Sequence, residues 1–187
     1  MTAGRVSVST TKDWGTPRNI VEAVRNAFDG DIELDPCSNE WSIVGARREF
    51  RLPLVDGLEA DWDAKTIYVN PPYGSDPIRG TRIIHWFKKI DLAYKAGSEV
   101  ITLVPVATNT KHWKEFVYPS ATAICFLYEP RVKFLIQGVA DKKGAPMSCA
   151  LIYYGANLER FASAVRHLGA VIPLEKVSLP IDQEELF

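Results

Sequence analysis

The stretch "TIYVNPPYGSD", residues 66–76, starts as a strand and then stops short. Thr66 to Val69 are strand formers. Pro71 and Pro72 have no N–H to give a ladder, so Asn70 is the last residue the strand can hold. Two prolines stiffen the backbone just past the strand. Asn70 adds a side-chain carbonyl on that edge, and Tyr73 adds a flat aromatic face. Paired acceptors beside a ring suit an exocyclic amine on a planar heterocycle.

Outward from this stretch, short apolar strands alternate with helices. Upstream, Thr16 followed by Pro17 predicts a helix start with Thr16 as N-cap. Ile20, Val21, Val24 and Phe28 recur at helical spacing, and Gly30 closes the segment. "DIELDPC" is a short apolar run ending at Asp35-Pro36. A Trp/Arg-rich segment, "NEWSIVGARREF", and an acidic turn, "DGLEADW", come next. Downstream, helices are expected near 81–96, 110–118 and 157–167. Strands are expected at "EVITLVP", "TAICFLY", "RVKFLI" and "SCALIYY", with "QGVADKKGAP" linking the last two and "AVIPL" closing the fold. Strands alternate with helices first and cluster later, which predicts a mostly parallel central α/β sheet with an antiparallel end. Ligands of such sheets bind beyond the carboxyl ends of strands, where Asp35-Pro36 and Asn70-Pro71-Pro72 both fall.

The bulk numbers exclude several classes. The 187 residues suit one domain with a sizeable core, placed at 12–175, with tails at 1–11 and 176–187. A composition 47% hydrophobic and 24% charged favours neither disorder nor a membrane protein. Apolar runs such as "AICFLY" are too short to span a bilayer, and no signal peptide is visible. Cys37, Cys125 and Cys149 show no CxxC or Cys/His pattern, so reduced thiols in a cytoplasmic protein and no metal are expected. With a net charge of −1, any nucleic-acid contact must use a local basic face. His85, His112 and His167 have no partner at metal or triad spacing and read as surface or half-buried polar residues.

Asn70-Pro71-Pro72-Tyr73 after a hydrophobic strand resembles the catalytic motif of S-adenosylmethionine-dependent amino-methyltransferases. The fuller set "DWGTP", "LDPCS", "DGLEADW", "NPPYG", "LVPVATNT" and "EPRVKFL" resembles the phage-type DNA N6-adenine methyltransferases related to Dam. It runs in the family's order over about residues 12–154. NPPY alone leaves RNA-guanine and protein-glutamine methyltransferases open; the flanking set narrows the target to adenine in DNA. A catalytically inactive DNA-binding relative stays as a further alternative.

The resemblance implies a Rossmann-like class I methyltransferase, encoded by a phage or its bacterial host. It also implies S-adenosylmethionine as cofactor and double-stranded DNA as substrate, acted on by a monomer or homodimer. Asn70 Oδ1 and the Pro71 carbonyl would accept from the two N–H groups of adenine N6. The nitrogen lone pair, otherwise delocalised into the ring, could then take the methyl group directly, without a covalent enzyme intermediate. Pro72 would stiffen the turn and Tyr73 would stack on the flipped base. Trp14, Thr16 and Pro17 resemble the motif beside the methionine moiety, although by themselves a helix cap with a hydrophobic staple is the better reading.

Asp35, Pro36 and Cys37 resemble the first cofactor motif, but "DPCSNE" lacks its glycines. Asp56-Gly57-Leu58 resembles the motif that meets the cofactor's adenine, with Asp61 a rival; Glu40 or Asn39 is the guess for the ribose. Arg79, Arg82, Lys111, Arg131, Lys133, Lys142 and Lys143 are the candidate DNA cations, each of which an ordinary surface charge explains as well. Phe134 resembles a family position near the target base, with an interior strand aromatic as the equal alternative. Loops around 74–82 and 137–147 would read the DNA sequence.

Overall fold

The central strand is "EVITLVP", whose interior is buried on both faces and apolar except for Thr102, whose hydroxyl donates to the Val69 carbonyl. The computed structural model describes residues 14–129 and 131–175. In chain order the elements are β1 (Trp14–Gly15), α1 (Arg18–Ala27), β2 (Leu34–Asp35), β3 (Arg48–Glu49), β4 (Thr66–Val69), β5 (Ser75–Asp76) and β6 (Thr81–Arg82). Then follow α2 (Ile83–Lys95), β7 (Glu99–Pro105), a π-helical turn (Trp113–Val117), β8 (Ala123–Leu127), β9 (Leu135–Ile136) and β10 (Val139–Ala140). The last are β11 (Cys149–Tyr154), α3 (Leu158–Val165) and β12 (Gly169–Pro173). The tails expected at 1–11 and 176–187 lie outside the described residues.

Seven strands form the main sheet in the order β12-β8-β11-β7-β4-β2-β3. β3, β2, β4 and β7 pair in parallel; β7, β11, β8 and β12 pair antiparallel. The antiparallel end is as expected, but it takes three of the six pairings, so the parallel part is smaller than expected. The cause is the excursion between β8 and β11. It stays at the carboxyl end of β8, so β11 must enter the gap between β7 and β8 from that end and run against both.

Alternation along the strands splits the core between two faces. Tyr68, Ile101, Leu103, Leu151 and Tyr153 meet α1 and α3 on one side. Ile67, Val69, Val100, Val104 and Ile152 meet Trp86, Phe87 and Ile90 of α2 and Trp113 on the other.

Local expectations changed in two places. Thr16 does not cap α1: it is buried, its hydroxyl 2.8 Å from the Tyr68 hydroxyl, and Pro17 holds the cap position. Pro17 has no N–H and a φ of −62°, and its carbonyl accepts from Ile20 and Val21. The strand expected at "RVKFLI" is only Leu135–Ile136. It forms a small separate sheet with β1 and β10, turning through Gln137 and Gly138, both at positive φ.

Candidate active site

Five strands of the main sheet (β3, β2, β4, β7 and β8) point their carboxyl ends the same way, and Asp35, Asp56 and Asn70 gather there. Asn70 follows β4 directly. Its Nδ2 donates to the Trp14 carbonyl at 2.8 Å, and its Oδ1 lies 3.2 Å from the Tyr73 hydroxyl. That hydroxyl is also 3.2 Å from the Leu103 carbonyl, so one proton serves two acceptors. Burial holds the Tyr73 phenol well above its ordinary pKa, which keeps it a neutral donor.

Three rings close this side. Trp14 stacks on Phe134 with centroids 5.1 Å apart, and Tyr73 meets both edge-on. Phe134 is 1% exposed. It is a floor beneath the other two rings and is not a surface contact for DNA. Tyr73 likewise turns its ring inward, and to stack on a base it must rotate out and free Asn70 Oδ1.

The other side of Asn70 is acidic. Asp35 ends β2 with its carboxylate buried, and its Oδ1 accepts from the Cys37 N–H at 3.1 Å. Burial is the main force raising its pKa to about 7; Glu49 adds to it, while Cys37 and Arg51 oppose it. The Cys37 thiol is also pushed well up, first by burial and then by Asp35.

Asp56 and Gly57 come to the same edge. A Cβ on Gly57 would lie 1.7 Å from the Pro36 carbonyl oxygen, so only glycine lets the two loops touch. Asp56 Oδ1 accepts from the Leu58 N–H at 2.9 Å, and its other oxygen pairs with the Arg79 guanidinium. The rival Asp61 lines a groove with Lys65 and Ser98, beside the starting ends of β4 and β7. It stands at the wrong end of the sheet for the same role.

One residue at this edge escaped the sequence reading. Glu49 ends β3, in register beside Asp35, and pairs with Arg51. An acidic residue ending a strand next to "IELD" was the available signal, hidden because "ARREF" is too short and charged to read as a strand. Neither ribose guess reaches comparable geometry: Asn39 caps the Trp41 N–H and Glu40 is exposed.

The cations divide. Arg79 is half-buried against Asp56 and is not a free surface charge. Arg82 is exposed at the start of α2, its N–H donating to His85 Nδ1, a partner that sequence had not supplied for His85. Lys111 is exposed and pairs loosely with Glu115 at 3.4 Å, an arrangement of about 0.3–0.5 kcal/mol that leaves the ammonium available. Arg131, Lys133, Lys142 and Lys143 are all exposed. Backbone bonds from Asp141 to Phe134 and from Ala145 to Val132 gather them on one lobe above the aromatic floor. Among the described residues no cluster could hold a metal ion, and no helix is long and apolar enough to cross a membrane.

The sequence has matches among known proteins. The family described as DNA N-6-adenine-methyltransferase (Dam) matches residues 4–171. The chain belongs to that family. It is also similar to the DNA N-6-adenine-methyltransferase of Haemophilus phage HP1 (strain HP1c1), with 25% identity over 135 residues, 72% of this chain and 73% of the relative. No solved structure matches the chain. The Dam-family match spans both the acidic edge and the aromatic floor around Asn70.

Proposed function

We propose that this Dam-family protein transfers a methyl group from S-adenosylmethionine to N6 of an adenine flipped out of duplex DNA, on a Rossmann-like class I fold. The observation that carries the reading is the position of Asn70-Pro71. It stands at the carboxyl end of β4 with carboxylates on one side and aromatic rings on the other.

The donor set fits the cofactor. Asp35, Glu49 and Asp56 offer carboxylates to a ligand bearing an ammonium, vicinal hydroxyls and an amino-purine. Bound there, S-adenosylmethionine supplies an electrophilic methyl carbon on a sulfonium. Asn70 and the Pro71 carbonyl hold the two N–H groups of the target amine and turn its lone pair out of conjugation. Trp14 keeps the Asn70 amide oriented through its carbonyl, so Oδ1 faces the incoming amine once Tyr73 releases it. This is catalysis by positioning and preorganised acceptors. The lobe carrying Arg131, Lys133, Lys142 and Lys143 supports phosphate contact, with the protein working in the cytoplasm of the bacterial host.

Incubation with methyl-labelled cofactor and duplex DNA, RNA or peptide, each alone, tests the reading. Label is expected at adenine N6 in DNA. Label confined to RNA or peptide overturns it.

A further inference from the structure

We propose that Ile78 is a wedge that enters the DNA base stack beside the flipped adenine; this rests on the adenine-methylation reading above. Ile78 is 93% exposed, more than any other large hydrophobic side chain among the described residues. It sits on the loop that joins β5 to β6, in the segment directly after Asn70–Tyr73. A scattered exposed isoleucine on a loose loop would call for no explanation. This one is held in place.

Three tethers hold it. Ser75 pairs with Arg82 and Asp76 with Thr81 across the hairpin. Asp76 Oδ1 accepts from the N–H of Ile78 at 3.1 Å and of Arg79 at 3.3 Å, fixing the backbone at the tip. The Arg79 side chain then pairs with Asp56, binding the hairpin to the acidic edge. Pro77 fixes its own φ just before Ile78, and Gly80 takes the positive φ that returns the chain to β6. All of this order presents one apolar side chain to solvent on a hairpin that follows the candidate catalytic motif in the chain and is tied to Asp56 at the same edge.

The chemistry of the substrate supplies the occupant. A flipped adenine leaves a gap between two apolar base faces, and opening that gap costs stacking energy. An isoleucine side chain fills it with apolar contact and reads no hydrogen-bonding edge; apolar side chains of minor-groove architectural proteins likewise enter between base steps. Arg82, exposed on β6, is placed to meet a backbone phosphate as the tip enters.

The test uses the full chain and two duplexes carrying the methylated context mapped from DNA of expressing cells. In one the target adenine is paired with thymine; in the other it faces an abasic site and is already unpaired. Ile78→Ala is expected to lower kcat/KM on the paired duplex about tenfold or more, and on the abasic duplex by less than about twofold. Ile78→Leu, still an apolar wedge, is expected to keep most of the paired-duplex activity. Equal loss on both duplexes, or no loss on either, overturns the wedge. If the wild-type protein methylates neither duplex nor any other DNA, the adenine reading itself fails, and the wedge with it.

Discussion

The two sides of Asn70 are built by different means. On one side, Asp35 and Glu49 are neighbours because β2 and β3 pair in parallel, and Asp56 joins them because Gly57 lets its loop touch Pro36. On the other, Trp14 and Phe134 come from distant parts of the chain and meet because β1 pairs with β9. The acidic side suits a ligand rich in hydroxyls and amines; the aromatic side suits a flat ring. The difference teaches that Asn70 sits at a boundary between an edge built of carboxylates and an edge built of packed rings.

Asn70→Ala removes the boundary itself and should have the largest effect. Methyl transfer to DNA should fall about a thousandfold while cofactor binding, measured by calorimetry, stays within about twofold. Substantial retained activity would mean that Asn70 is not the acceptor of the amine.

Gly57→Ala attacks the acidic side alone. With the Pro36 carbonyl in the way, the loops must part, at a cost of about 1–3 kcal/mol in stability. Cofactor affinity should fall by about a hundredfold, whereas DNA binding measured without cofactor should change little.

Asp35 sharpens the same side through pH. Its pKa of about 7 means that below neutrality the carboxyl is largely protonated and cannot pair with a cationic group. Bound to an ammonium it would ionise, so binding releases a proton below pH 7. Cofactor affinity should therefore rise as pH is raised from 5.5 to 7, by about tenfold, and Asp35→Asn should flatten the profile. A profile unchanged in the variant would place the ammonium elsewhere.

Tyr73→Phe probes the aromatic side and should have the smallest effect. The ring stays, but the hydroxyl that engages Asn70 Oδ1 is gone. A net hydrogen bond of about 1 kcal/mol corresponds to roughly a fivefold lower KM for DNA, with kcat little changed. A higher KM would show that the hydroxyl helps the base in and does not hold its place.

Much of the candidate site was legible because its signals are local. Prolines stopping a strand at Asn70, Asp35 ending an apolar run, and Asp56-Gly57 in a turn are all readable within a few residues. What was missed depends on partners far along the chain. Glu49 gains its position only from pairing with β2, and Arg79 loses its surface role only because Asp56 comes within reach. Thr16 looked like a cap because its best competing partner, Tyr68, is fifty-two positions away. The antiparallel end was expected, but its extent was not, because periodicity identifies strands and says nothing of their neighbours.

The sequence by itself determined where strands must end, which residues carry acceptors and rings there, and which family the chain resembles. These follow from backbone constraints and side-chain chemistry that act over a few bonds. Only the tertiary structure decided that β11 runs between β7 and β8, that Tyr73 turns in to engage Asn70, and that Ile78 is held out on a braced hairpin. Those outcomes depend on which distant surfaces are buried together, and burial is a property of the whole packed chain.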